Sequence, residues 1–117
     1  MGLFDVTQAV LERAMSGAAL REQVLANNLA NANTPLFTRS DVDFQAAIRQ
    51  ALASGAPLDS VQFQVTRDSS GAVSLDGNNV SVDTEMARLS ENTLTYQSLA
   101  SIAKARLKML EDAVRGS

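Results

Sequence analysis

Between residues 86 and 114 the chain places an apolar or small residue every three or four positions without a break. The series is Met86, Leu89, Thr93, Tyr96, Ala100, Ala103, Leu107, Leu110 and Val114. Such a period puts all of them on one face of a helix, and over four heptads it makes a coiled-coil seam. Leu94, Leu99, Ile102 and Met109 form a second apolar flank beside it. One partner helix covers one seam, so the second flank calls for further neighbours. Asp83 can cap the start of this helix and Glu85 complements its N-terminal dipole. The basic residues Lys104, Lys108 and Arg115 suit its C-terminal half. The helix is predicted over 83–115.

A second long helix is predicted over 3–32. Phe4, Leu11, Ala18, Leu25 and Ala32 recur every seven residues, flanked by Leu3, Val10, Gly17 and Val24 and by Met15 and Leu29. Gly17 weakens a helix interior by about 1 kcal/mol relative to alanine. It either makes room for a close neighbour or is merely tolerated. The connecting segment, 33–82, begins with a short helix expected over 41–54. Ser40 is its expected cap, with Asp43 three residues on, and Phe44, Ile48, Ala51 and Leu52 give it an apolar face. Gly55 and Pro57 mark its exit. The period then changes. Val61, Phe63 and Val65 alternate with glutamines, Arg67-Asp68-Ser69-Ser70-Gly71 reads as a turn, and Val73 and Leu75 alternate again. That is the pattern of a small β-hairpin or an extended excursion. Two strands alone are marginal, so this piece needs something to pack against. The fold expected is mainly α: two long terminal helices packed antiparallel as a coiled coil, with the short helix and the hairpin or excursion between them. Each terminal helix carries more apolar surface than one partner buries, and exposed apolar faces mark protein interfaces.

A chain of 117 residues fits a single domain, here 1–117. Its 45% hydrophobic content is rich in alanine, with no tryptophan, one tyrosine and four phenylalanines, which favours closely packed helices over a thick aromatic core. The absence of histidine and cysteine excludes imidazole bases, Ser-His and Cys-His nucleophiles, disulfides and thiolate metal sites. Two carboxylate pairs, Asp41/Asp43 and Asp83/Glu85, have a spacing open to acid–base work. Each lies at a predicted helix start, where capping accounts for it better. Asp76-Gly77-Asn78-Asn79 faintly resembles a calcium loop but has its glycine in the second position and Ala87 in the twelfth. No phosphate-binding glycine loop occurs. The expectation is a non-enzyme without cofactor or metal. A net charge of −3 opposes general nucleic-acid binding, so Lys104, Arg106 and Lys108 read as a solvated helix face or an interfacial charge patch. No run approaches the roughly 18–20 apolar residues that span a bilayer, and no direct membrane insertion is expected. Met1-Gly2-Leu3-Phe4-Asp5 lacks a basic region followed by an apolar block, so no cleaved secretory signal is expected. Val6 occupies the place where N-myristoylation requires serine or threonine.

Residues 26–37 read ANNLANANTPLF, with asparagines at 27, 28, 31 and 33. Pro35 lacks an N–H and pushes Thr34 out of the helical region, so the first helix stops here. Asn27, Asn28 and Asn31 share one helical face. Amides that donate and accept suit a packed interface where register matters, whereas a catalytic site would carry ionisable groups. This run resembles the signature of the flagellar rod, hook and related axial proteins. That family continues with Gly-Tyr where this chain has Leu36-Phe37, which keeps the aromatic and loses the flexible glycine. Arg39-Ser40-Asp41-Val42-Asp43-Phe44, Asp76-Gly77-Asn78-Asn79-Val80, Glu85-Met86 and Glu91-Asn92-Thr93-Leu94-Thr95-Tyr96-Gln97 are similar to the family's proximal rod members, which lack a large inserted domain.

The resemblance implies a structural subunit of the bacterial flagellar basal-body proximal rod. It implies export through the flagellar type III apparatus without a cleaved signal peptide, and assembly in the periplasmic space with itself and other rod proteins. The place it implies is the base of the rod, near the MS ring and export gate, within a drive shaft that carries torque from motor to hook. The assembly interface expected comprises Asn27, Asn28, Asn31, Asn33, Pro35, Phe37, Met86, Leu89, Asn92, Tyr96, Leu107 and Leu110. The residues alone leave open a soluble helical adaptor or chaperone that binds a single partner and, less favoured, a carboxylate-based hydrolase.

Overall fold

In a computed structural model the chain is an elongated helical rod of 66 × 28 × 15 Å. It describes residues 3–116, with side chains from Asp5 onward; Met1, Gly2 and the side chains of Leu3 and Phe4, the first members of the apolar stripe, lie outside the described residues. Helix α1 spans Leu3–Ala30 and helix α3 spans Val82–Arg115, with the short helix α2 (Phe44–Ser54) between them. At 28 and 34 residues the long helices measure about 42 and 51 Å. They run antiparallel: Asn92 of α3 reaches Ala18 of α1, while Glu85, a heptad earlier, reaches Asn28. No helix among the described residues is long and apolar enough to cross a membrane.

The stripe on α1 forms as its spacing dictates. Leu11, Ala18 and Leu25 are buried, joined by Ala14. The helix ends two residues earlier than its pattern predicts. Asn31 turns its side-chain amide back onto the Asn27 carbonyl (2.9 Å), and its backbone N–H is shared between the carbonyls of Asn27 and Asn28. Ala32, the last member of the stripe, therefore falls in the turn.

Helix α2 begins at Phe44, three residues later than expected, and Asp43 is its cap, accepting from the Ala46 N–H (3.1 Å). Ser40, the cap predicted from sequence, instead forms strand β1 with Asp41. Gly55 ends α2 in the left-handed conformation, as its position foretold. A single 3-10 turn, Leu58–Ser60, then returns the chain to α1. There Arg13 donates to the Val61 carbonyl and lies 4.9 Å from the centre of the Phe63 ring. Phe63 meets Phe44 edge-on at 6.4 Å, closing a core of Ala14, Ala18, Val42, Phe44 and Ile48.

The extended segment is present, but not as a hairpin. Residues 61–65 and 73–75 do not pair with one another. The strand that forms, β2 (Thr66–Arg67), pairs antiparallel with β1, Ser40 opposite Arg67 and Asp41 opposite Thr66. Alternation alone does not choose a partner; here a polar cluster around Arg39 chooses it. At the start of α3, Ser81 is the cap, accepting from the Thr84 N–H, and Asp83 sits in the first turn.

Gly17 has a positive role. It is buried, and a methyl group there would come 2.7 Å from Cγ of Phe44. Phe44 meets that point with the inner end of its side chain, which cannot swing aside. Gly17→Ala gains about 1 kcal/mol in helix propensity and loses more to overpacking, typically 1–3 kcal/mol. Thermal unfolding should show a lowered midpoint, with α2 more weakly protected from hydrogen exchange than in the parent.

Candidate assembly interface

The seam between α1 and α3 differs from the one the apolar spacing marks. Leu89 and Ala103 keep their place at it and Tyr96 lies exposed at its edge, but the row buried most deeply beside them begins one residue earlier than the apolar one. Met86 and Leu107 are exposed, Thr93 and Ala100 stay half-buried, and beside them an inner row runs through 85, 92, 99 and 106, its first two members the buried polar residues Glu85 and Asn92.

These polar groups are held by partners from the rest of the chain. Arg39 is buried between the helices and its guanidinium serves three carboxylates. Nε pairs with Glu85, Nη1 with Asp68 (2.6 Å) and Nη2 with Asp41 (3.0 Å). Glu85 also accepts from Asn28 (3.1 Å) and from Arg88 (2.9 Å). Asp41 accepts from Arg21 of α1 at 2.7 Å. Three arginines thus face three carboxylates, and the cluster ties together α1, both short strands and α3. Asn28 pairs with both backbone groups of Ser40, donating to its carbonyl (2.7 Å) and accepting from its N–H (3.0 Å). One heptad further along α3, Asn92 donates to the Ala18 carbonyl and to Glu22 (both 2.8 Å), and Thr93 donates to Glu22 at 2.7 Å.

Asn78 and Asn79 fasten the loops. Asn78 donates to the carbonyls of Asn31 (2.9 Å) and Thr34 (2.7 Å), and Asn79 donates to the Asp68 carbonyl (2.6 Å) while accepting from the Arg39 N–H (2.7 Å). The turn that follows α1 is therefore fixed by the segment that precedes α3.

The twelve expected interface residues divide accordingly. Asn28 and Asn92 are inside the fold and act within the chain: the Asn28 amide donates and accepts, and the Asn92 NH2 donates to backbone and carboxylate while its Oδ1 is buried without a hydrogen-bond partner. Asn31, Phe37 and Leu89 are half-buried, and Asn31 serves the turn. Asn27, Asn33, Pro35, Met86, Tyr96, Leu107 and Leu110 face outward. Further apolar side chains of α3, among them Leu94, Ile102, Met109 and Val114, are exposed too, so the outward face is wider than the set picked from sequence.

The carboxylate pairs also part company. Asp43 caps α2, but Asp41 and Glu85 belong to the Arg39 cluster, a role their helix-start positions concealed. Arg39 escaped selection from sequence. Its signal was a single arginine just before an Asp-x-Asp step, together with Glu85 and Asn92 exactly one heptad apart beside an otherwise apolar row.

Charge tuning follows from this geometry. Burial pushes the Asp41 carboxyl up, but hydrogen bonds from Arg21, the Val42 N–H and Arg39 outweigh it and hold the group below its ordinary value. The Ser70 hydroxyl and N–H, with Arg39, bring Asp68 down to about 2.

Two long helices locked in register by buried polar bonds, with large apolar side chains left outside, define a helical structural subunit. The family model described as flagella basal body rod protein matches residues 9–38. The flagellar basal body rod protein FlgB of Bacillus subtilis (strain 168) is 28% identical across 99% of this chain and 98% of its own length. FlgB of Salmonella typhimurium (strain LT2) is 29% identical across 96% and 95%, and FlgB of Cereibacter sphaeroides (strain ATCC 17029) is 30% identical across 82% and 84%. The chain belongs to the FlgB family of flagellar basal body rod proteins.

Two outcomes test the cluster. Arg39→Met leaves Glu85 buried without its principal cation and should destabilise the fold by about 3–5 kcal/mol in chemical denaturation, whereas Arg39→Met combined with Glu85→Leu should recover much of that loss. Acid should act through the carboxylates. Asp41 and Asp68 bind protons less readily folded than unfolded, so the stability they supply is complete above the ordinary carboxylate value of 3.8. It drains as pH falls through their folded values, about 2 for Asp68. Denaturation midpoints measured from pH 5 to pH 2 should fall mainly over the lower part of that interval, and the fall should be shallower in Asp68→Asn.

Proposed function

We propose that this rod protein is a subunit of the proximal rod, assembling with its own copies and with other axial proteins into the drive shaft that carries torque from motor to hook. Its place is the base of the rod, beside the MS ring and export gate, and it reaches that place through the flagellar export apparatus without a cleaved signal peptide. The observation that carries this reading is the outward apolar face of α3. Leu107, Leu110 and Val114 are 51%, 47% and 73% exposed in a helix whose inner seam is occupied by polar groups. A helix that keeps such side chains in water gains by surrounding itself with other helices. The same face on a protein that binds one partner would be covered from one side only. The Arg39 cluster suits a load-bearing subunit, because it joins helices and loops through directional bonds that resist sliding.

The reading is tested at Leu107. An aspartate there meets solvent in the monomer and apolar neighbours in an assembly, where an unpaired charge is costly. Leu107→Asp should leave the thermal midpoint of the isolated protein within a degree or two and abolish both rod incorporation and swimming. Asp83→Asn, a first-turn residue outside the Arg39 cluster, should swim normally. A motile Leu107→Asp strain would overturn the proposal, and a soluble one-to-one complex lost in the same variant would support the adaptor instead. Intact mass of the protein from purified basal bodies tests the export route: a product shortened within its first thirty residues would contradict it.

A further inference from the structure

Leu36 is the only non-glycine residue with a positive φ among the described residues, at +64°. It sits at the third position of the turn Thr34-Pro35-Leu36-Phe37, closed by the Phe37 N–H donating to the Thr34 carbonyl (3.3 Å). Proline second and a left-handed residue third make a type II turn, and the left-handed place ordinarily falls to glycine. A β-carbon makes that conformation unfavourable. Leu36 is held there because its N–H donates to the Asp76 carbonyl (2.9 Å) and because its side chain lies over Gly77, where an added methyl group would come 2.6 Å from Cδ2. In return the fold buries little: Leu36 stays 79% exposed, and Leu75, on the adjoining turn, is fully exposed. Two tight turns are thus locked together so as to hold two leucines in water at the end of the rod.

We infer that the Leu36–Leu75 tip docks onto the C-terminal half of α3 of a second copy, around Leu107 and Leu110, in a head-to-tail contact. The inference rests on the rod-subunit reading above. The tip adjoins the start of α3, and its proposed seat lies on the far part of that helix, which is about 51 Å long, so a molecule cannot satisfy its own tip. Charge favours the pairing. Asp76 stands at the tip, while residues 104–115 carry four cations (Lys104, Arg106, Lys108, Arg115) against two carboxylates (Glu111, Asp112), which pair with Arg115 and Lys108 and leave the stretch net positive. A patch that fits a different patch on an identical molecule makes a heterologous contact, which builds an open helix wherever its rotation does not close a ring. That is the symmetry a rod requires.

Cross-linking tests the contact cleanly, because the chain has no cysteine of its own. Leu75→Cys and Leu110→Cys copies, expressed together in flagellated cells and oxidised, should give a mixed dimer. Leu36→Gly, added to both, should lower its yield at least tenfold. Glycine adopts the left-handed turn freely, so the thermal midpoint of the isolated Leu36→Gly protein should be unchanged or higher, which separates lost docking from lost folding. A dimer formed only between two Leu75→Cys copies, or parental cross-linking in Leu36→Gly, would overturn the inference. If Leu107→Asp blocks rod incorporation while Leu36→Gly cross-links normally, the head-to-tail contact fails and the rod-subunit reading stands. If both variants incorporate and cross-link as the parent does, both fail together.

Discussion

The Arg39–Glu85 pair is the interaction on which the rest of the structure depends. Arg39 lies in the connecting segment and Glu85 in the first turn of α3, and both are withdrawn from water. A buried ion pair gives little net stability over a well-packed apolar substitute, since both ions forfeit hydration. What it provides is uniqueness. The guanidinium has a fixed fork of donors, and here the fork also reaches Asp41 and Asp68, so β1 and β2 are aligned by the same group that sets the start of α3. Neither two-residue strand would persist by itself. The sheet exists because the cation in its midst holds a carboxylate beside each strand.

That choice of interior explains the exterior. A coiled coil with apolar residues in both rows could slide by a heptad at modest cost. With Glu85 matched to Asn28 and Asn92 to Ala18 and Glu22, a slip of one heptad would strand several buried polar groups, each costing about 1–3 kcal/mol. The intramolecular seam is therefore fixed by polar bonds, and much of the large apolar surface of α3 stays exposed. The contacts that define the monomer and the exposed apolar side chains therefore lie on different faces of one helix.

The helices were legible in the sequence because their period is a local property. The stripe on α1, the glycine that ends α2 and the long periodic run of α3 all followed from spacing and capping chemistry. The caps themselves moved by a few residues, from Ser40 to Asp43 and from Asp83 to Ser81, because neighbouring polar residues of similar capping strength compete and tertiary contacts decide. Asp41 could not act as a helix residue once Arg21 and Arg39 had claimed it. The strand pairing was not legible, since alternation at 61–65 and 73–75 says nothing about which edge lies nearby. The asparagine-rich run marked a site of register, but its members divide between internal bonds and the surface, and composition cannot make that division.

The seam on α3 is the most instructive departure. Hydrophobic spacing selected the row through Met86 and Leu107, yet the row that faces α1 begins with Glu85 and Asn92. Reading apolar residues as inward assumes that a helix has one covering partner and that this partner is in the same chain. When polar residues one position away recur at the same heptad period, a second solution exists: the polar row is turned inward to partners in the same chain and the apolar row is left exposed. Glu85 and Asn92 meet that condition: both are buried, and the Glu85 carboxylate and the Asn92 NH2 find partners within the chain, as the cost of burying polar groups demands. A heptad-spaced pair of polar residues flanking an apolar seam is then a sequence mark of a helix with two loyalties. It becomes readable once the opposing chain offers matched groups, as Asn28, Glu22 and Arg39 do here.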